Sequence, residues 1–405
     1  MRSKRLQFQN SHGQKLAAYL DLPVDGKTYN YAIFAHCFTC GKNLKIGYYI
    51  SRALTQHHIA VLRFDFTGLG ESEGEFSETN FSSNIADLKS AAKFLAEEYE
   101  APRILIGHSI GGTASLAAAQ GIPSCRAVTI IASPFEPIHI MDHFAKEKDL
   151  IEEQGEALIK LGGQTFTINR QFLDDLYVTD MHKVINDLNR PLLILHSPQD
   201  ATVDIENAGR IYQAARHPKS FISLDNADHL LLREEDACYT GAMIAIWASK
   251  YLDIDRQPPP QLNDAGVVIT STGKEGYYTE IDANGHSIIA DEPQSAGGTD
   301  QGASPYDLLS ASLGACTGMT LRMYADRKGW PLDEVNIRLE HKKIHAADCD
   351  NCPDANTMID SITREIELIG KLTDEQKERL VEIANRCPVH RTLQERVNVT
   401  TRLLE

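Results

Sequence analysis

The chain of 405 residues has no excess of positive charge: 40 Lys and Arg stand against 56 Asp and Glu, a formal net charge of -16. That balance argues against a nucleic-acid partner and against an anionic membrane surface. Long apolar runs are missing too, and none approaches the length of a bilayer span. The first residues, Met1-Arg2-Ser3-Lys4-Arg5-Leu6-Gln7-Phe8, carry positive charge with no apolar stretch after it, so no signal peptide is expected. Cysteines are few, 8 in all, and scattered. They form no dense framework. This fits a reducing compartment with reactive or buried thiols rather than structural disulfides, and the cytoplasm is the expected location.

What is present is a globular composition, 42% hydrophobic and 24% charged, on a chain too long for one ordinary core. Two domains are expected. The first is organised around Gly107-His108-Ser109-Ile110-Gly111, which follows the apolar run Arg103-Ile104-Leu105-Ile106 and precedes a small-residue run, Thr113 to Ala119. Strand, tight turn and helix is the context that gives G-x-S-x-G a chemical meaning. The glycines permit a sharp turn and close helix packing. Ser109 is then exposed at the tip, and the Ile110 N–H sits at a helix start, where a developing oxyanion is favoured.

Strands are expected at Arg5 to Asn10, Lys15 to Asp21, Tyr31 to Ala35, Ile59 to Phe64, Ala127 to Ala132, Pro191 to Leu195 and Phe221 to Leu224. Helical patterns fall at Leu44 to His57 and Asn80 to Glu100. Strands alternating with helices imply a parallel sheet covered on both faces. Pro134 to Arg190 breaks the rhythm with a polar, helical pattern and reads as a cap over the site. The glycine-rich turn Asp65 to Ser72 lacks the Gly-Lys-Ser/Thr ending of a phosphate loop and reads as structural.

An acid after the penultimate strand, Asp200, and a histidine after the last, His229, complete the order Ser, Asp, His. His229 would take the Ser109 proton, and Asp200 would fix the imidazole. Asp204 is the rival acid but reads as the opening of the next helix. His36 and His108 read as packing or supporting groups. The loop after Ala35, His36-Cys37-Phe38-Thr39-Cys40-Gly41-Lys42-Asn43, lies where a second oxyanion donor is needed; Phe38 N–H is expected, with Cys37 the neighbour. Cys37 and Cys40 form a C-x-x-C pair with no second ligand pair nearby, and packing beside this loop is the favoured reading.

By these motifs residues 1 to about 252 resemble the α/β-hydrolase family, in particular small serine hydrolases of the esterase or dipeptidyl-peptidase-like type. The resemblance implies a doubly wound sheet with a helical cap over residues 1–254, the cap at about 134–190, and an acyl ester substrate.

Asp255 to Asp264, with Pro258-Pro259-Pro260, reads as a semi-rigid linker before a second, α+β domain over 265–405. Strands are expected at Gly266 to Ser271, Gly276 to Asp282 and His286 to Asp291, with Asn284-Gly285 a hairpin turn. Ser304-Pro305-Tyr306-Asp307 opens a helix to about Lys328, with Leu309, Leu313, Cys316, Thr320 and Met323 on one face. Strands at Val335 to His345 and Ile362 to Gly370, a helix from Thr373 to Arg386 and a closing strand from Val397 to Leu404 follow. Cys387 precedes Pro388 at a helix start, a setting that lowers a thiol pKa.

The pairing of Ala315-Cys316 with Cys387-Pro388-Val389-His390 is similar to the paired-cysteine pattern of the OsmC/Ohr family over about Gly266 to Glu405. The resemblance implies an intertwined homodimer that reduces organic hydroperoxides, with Cys316 peroxidatic, Cys387 resolving and a thiol reductant; Cys387 at a helix start is well placed to be a thiolate itself, and the exchanged roles are the alternative. Where those relatives carry an Arg in the first hairpin, this chain has Lys274, and Tyr306 replaces a Glu. Lys274 would stabilise a thiolate as a point charge only. A domain kept for dimerisation and lipid binding is the rival reading, as peptide hydrolysis is for the first domain. Cys349 and Cys352 read as an exposed loop. No cofactor and no metal is expected.

Overall fold

The computed structural model describes the chain except for residues 25, 146, 162–163, 253–266, 274–275, 346–357 and 404–405. The chain divides into two compact units, Met1–Ser271 with Asp282–Ser287 and Thr272–Ile281 with Ile288–Glu405.

Unit 1 opens with β1 (Arg2–Gln9) and β2 (Lys15–Leu22), an antiparallel pair. The Asn10 carboxamide oxygen takes the N–H of His12 and of Gln14, fixing the turn between them. Then come β3 (Asn30–Ala35), α1 (Lys45–Thr55), β4 (Ile59–Phe64), α2 (Phe81–Glu98), β5 (Ile104–His108), α3 (Ile110–Ala119) and β6 (Ala127–Ile131). After an intervening segment that includes α4 (Lys148–Gln154), β7 (Glu156–Leu161), β8 (Gln164–Asn169), α5 (Arg170–Asp175) and α6 (Met181–Asn186), the sheet resumes with β9 (Leu192–His196), α7 (Glu206–Ala214), β10 (Lys219–Ser223) and α8 (Glu234–Ala248).

The sheet has eight strands in the order β1-β2-β4-β3-β5-β6-β9-β10, parallel from β4 onward. Strands β3, β4, β5, β6 and β9 are buried at every residue, as continuous apolar runs in a sheet covered on both faces must be. Alternation sorts their side chains. Ile33, Leu62 and Leu105 pack with α2, α3 and α7, while Phe34, Val61 and Ile106 pack with α1 and α8.

The segment from Pro134 to Arg190 was expected to be helical but is mixed. Strands β7 and β8 pair antiparallel, with Leu158 opposite Thr167. Ala157, Ile159, Phe166 and Ile168 are buried while Leu158 is 69% exposed, a period of two that the many carboxylates around it masked.

The chain continues with a three-stranded sheet, β11 (Val268–Thr272), β12 (Thr279–Ala283) and β13 (His286–Ala290), in that order. Asn284 and Gly285 turn between the last two with φ of 60° and 86°, the positive pair of a tight hairpin. The long helix α9 (Pro305–Lys328) opens on a capping box of Ser304 and Asp307 and ends at Gly329, φ 64°. Strands β14 (Leu332–His345) and β15 (Met358–Gly370) form an antiparallel ribbon, followed by α10 (Asp374–Ala384), capped by Thr373 and Gln376, and α11 (Pro388–Gln394). Leu321, Ala325, Leu332, Leu380, Ile383 and Ala384 make the small core.

Two expectations are corrected here. The buried stripe of α9 is Leu313, Thr317, Leu321 and Ala325, whereas Met323 is 72% exposed: the ribbon and α10 cover a different face of the helix from the one proposed. Val397–Leu403 forms no strand; Val399 and Leu403 are 81% and 94% exposed, and a strand needs an edge to pair with. The linker, Lys274, Cys349 and Cys352 lie outside the described residues.

Candidate active site

Ser109 stands between β5 and α3 with φ 55° and ψ -129°, a backbone state that costs a non-glycine residue about 1–3 kcal/mol. The packing around it explains the flanking glycines. A Cβ on Gly107 would lie 2.3 Å from the Gly111 carbonyl oxygen, and one on Gly111 would lie 2.4 Å from that of His36. The Ser109 N–H donates to the Ile131 carbonyl at 2.8 Å, tying the turn to β6. Ile110 is the first residue of α3, so its N–H is among those with no partner inside the helix.

Asp200 follows β9 and His229 follows β10. Asp200 Oδ2 lies 2.8 Å from His229 Nδ1, and Oδ1 accepts from the N–H groups of Thr202 (2.8 Å) and Val203 (3.0 Å). Burial pushes the Asp200 carboxyl up, but the His229 ring and these N–H groups outweigh it and hold it below its usual range. Asp204 does not reach the histidine. It accepts from Glu206 N at 2.7 Å at the start of α7, where Ile205 holds the cap position.

Two buried histidines brace the site. His108 Nε2 bonds the His229 carbonyl at 2.7 Å, and burial, with His229 beside it, lowers its pKa to about 3, so the ring is neutral and donates. Burial lowers the pKa of His36 as well; its Nε2 accepts from Phe66 N, leaving Nδ1 to donate to the Cys37 carbonyl at 2.8 Å.

The loop after β3 holds the largest departure from expectation. Cys37 and Cys40 are joined in a disulfide, with Cα atoms 5.3 Å apart. The thiols therefore are not all free. Composition set the expectation, but a two-residue spacing and the turn bond from Cys40 N to the Cys37 carbonyl bring the sulfurs together. The Phe38 ring, inside that turn, packs on Phe76 (5.5 Å) and Phe172 (5.6 Å), and Phe76 on Phe166 of β8 (4.8 Å). Beyond it, Lys42 Nζ reaches Asp65 Oδ2 and Glu71 Oε2, both at 2.6 Å, and its N–H donates to Asp65 Oδ1. Arg63 of β4 binds Asp21 and the Lys42 carbonyl. Sequence reasoning missed this network; a charged residue inside the otherwise apolar run of β4 was its signal.

In unit 2, Cys316 is half-buried on α9 and Cys387, at the cap of α11, is fully buried. The Cys316 thiol is among the groups that lower the Cys387 pKa. Cys387 Sγ accepts from His390 N at 3.3 Å and lies 3.6 Å from Thr317 Oγ1. Arg364 of β15, which sequence reasoning missed, donates to Thr317 Oγ1 at 2.8 Å. Among the described residues no cluster suits a metal ion, and no helix is long and apolar enough to cross a membrane.

Comparison with known proteins divides along the same line. A family model described as serine aminopeptidase, S33, matches residues 43–160, and one described as OsmC-like protein matches 298–402. The esterase domain of a Rhodothermus marinus protein is 46% identical over 62% of this chain and 99% of its own, with a TM-score of 0.51. Est1E of Butyrivibrio proteoclasticus, solved with ferulic acid, shares the fold at 17% identity and a TM-score of 0.52, over 61% of this chain and 98% of its own. The uncharacterized protein YfhR of Salmonella typhi is 25% identical over 44% of this chain. The match spans just 57% of that relative's length.

Proposed function

Because the chain is a fusion of an α/β-hydrolase domain with an OsmC-like domain, we propose that its first unit hydrolyses carboxylic esters through an acyl-enzyme on Ser109. The observation that carries this reading is the 2.8 Å bond from His229 Nδ1 to Asp200 Oδ2, made at the ends of two sheet strands, with Ser109 strained at the end of a third. Asp200 fixes the tautomer that leaves Nε2 to take the Ser109 proton as Oγ attacks the carbonyl carbon. The N–H groups of Ile110 and Phe38 receive the oxyanion. His229 then protonates the departing alcohol, and water releases the acid by the same steps in reverse. The phenylalanines around Phe38 suit an apolar acyl group. Peptide cleavage differs in the leaving group alone and is the alternative.

The second unit, on this proposal, reduces organic hydroperoxides. The placing of Cys387 Sγ 3.6 Å from Thr317 Oγ1, on the residue that follows Cys316 along α9, favours it. The Cys316 thiolate attacks the outer peroxide oxygen; an S–O bond forms, the O–O bond breaks, and the alkoxide leaves and is protonated. Cys387 then displaces hydroxide from sulfur to form the disulfide, and a thiol reductant of the cytoplasm restores the dithiol. The exposed Met319, Met323 and Val399 suit burial against a second copy. A unit kept for dimerisation and lipid binding is the rival.

One screen tests both halves: acyl esters of graded length, aminoacyl amides and cumene hydroperoxide, on wild type, Ser109→Ala and Cys316→Ser. Ester turnover lost in Ser109→Ala alone, and peroxide consumption lost in Cys316→Ser alone, is the expected pattern. Ester turnover that survives Ser109→Ala ends the first reading. Absence of peroxide consumption in wild type leaves the binding-module role.

A further inference from the structure

We propose that Arg364 and Thr317 are positioning residues that hold the Cys387 sulfur as the anionic nucleophile which closes on oxidised Cys316, an inference resting on the hydroperoxide reading above. Thr317 is buried and follows Cys316 on α9. Its hydroxyl has a single proton and two acceptors within reach, the Leu313 carbonyl at 2.8 Å and Cys387 Sγ at 3.6 Å. Arg364 Nη1 donates to the same oxygen at 2.8 Å. The oxygen is thereby served by a cationic donor, and its own proton turns to the carbonyl while Cys387 is a thiol and to the sulfur when it is a thiolate.

Arg364 also fixes where that sulfur is. Nη1 donates to the Ala384 carbonyl at 3.2 Å and Nη2 to Asn385 Oδ1 at 2.7 Å, on the corner that leads from α10 into Cys387. One planar guanidinium thus aims the corner and polarises the hydroxyl, a double task suited to Arg and not to Lys. The titratable and charged groups that act on Cys387 are Cys316 from α9 and Arg364 from β15, while His390 on its own helix donates its backbone N–H. Burial pushes the Cys387 thiol up; the His390 N–H, the Thr317 hydroxyl, the Cys316 thiol and the Arg364 charge outweigh it, so the thiol ionises below its ordinary range. His390 does not compete for the role, since burial and Arg364 keep it neutral.

The roles divide by exposure. Half-exposed Cys316 meets the peroxide and becomes a sulfenic acid. Buried Cys387 meets only Cys316: its thiolate attacks the Cys316 sulfur, the S–S bond forms, the S–O bond breaks, and hydroxide leaves and gains a proton as water. The peroxide has then gained two electrons and the dithiol has lost two.

The test uses the full-length protein carrying Cys316→Ser, which keeps a polar group of similar size beside Cys387. The ultraviolet absorbance of the Cys387 thiolate, taken as the difference from the same protein also carrying Cys387→Ser, is followed across a pH series. Arg364→Met and the isosteric Thr317→Val are each expected to raise the midpoint of that titration by about one pH unit, the worth of a hydrogen bond to a charged group. Thr317→Ser restores it, which a merely structural role would not require. An unmoved midpoint in Thr317→Val, in protein that melts like its parent, overturns the relay. If the midpoint shifts as expected but wild type consumes no cumene hydroperoxide, the relay stands and the peroxidase reading fails.

Discussion

Lys42 and Asp65 form a buried ion pair, Nζ to Oδ2 2.6 Å, at the end of the loop that carries Phe38. Both side chains are shut off from water, and the backbone is cut to fit: a Cβ on Gly70 would lie 2.3 Å from Asp65 Oδ2. Lys42→Met strands the Asp65 carboxylate. Loss of one partner of a buried pair costs about 3–5 kcal/mol. A matching drop in unfolding free energy is expected, with part of it recovered in Lys42→Met/Asp65→Leu. Urea denaturation of the two variants measures this, and equal losses in both would remove the pair from the account.

Asp200→Asn keeps the shape of the carboxylate but reverses the hydrogen-bond preference at His229 Nδ1. Ester turnover should fall by about four orders of magnitude while ester binding changes little. Steady-state kinetics on the best ester of the graded series reads this out.

His108 gives a pH dependence of stability with a fixed sign. Its folded pKa is lowered from 6.5 to about 3, so between those values the unfolded chain binds a proton that the folded chain refuses. Stability is complete above the unfolded value and declines as pH falls through that window. His108→Gln should flatten the decline. Urea midpoints at several pH values across the window, wild type against variant, decide it.

The Cys37–Cys40 disulfide closes the turn around Phe38. Cys40→Ser should therefore lower ester turnover more than it lowers melting temperature, because a loosened Phe38 N–H is felt mainly in the transition state. Peptide mapping without reductant should find the two cysteines linked in wild type. Unlinked cysteines together with full activity would dissolve the argument.

The exposed apolar residues of α9 and the C-terminal segment predict a dimer. Sedimentation should give twice the chain mass, with Met323→Asp and Val399→Asp shifting it toward the monomer. A chain ending at Leu252 should sediment as a monomer.

How far the sequence could be read depended on whether a feature is local. Ser109, Asp200 and His229 sit at strand ends, and strand ends show as apolar runs breaking into polar turns. The capping boxes at Ser304 and Thr373 are likewise local and were legible residue for residue. Arg364 was not, since its partners lie on α9 and at the end of α10 and join only when the ribbon folds over α9. The β7–β8 ribbon was hidden by the charge around it. Exposed Leu158 broke the alternation just where two strands needed it clean.

The segment between β6 and β9 leaves and re-enters the sheet at adjacent strands. Its two ends are pinned at opposite ends of two neighbouring parallel strands whatever lies between them, so lengthening it costs little, about 0.6 kcal/mol of closure entropy for each doubling. Ser109, by contrast, is locked between glycines that admit no Cβ. The fold thus separates a part that selection can rewrite from a part that it cannot. New substrates would be gained by exchanging the ribbon and its phenylalanines, with the bond-breaking apparatus inherited unchanged.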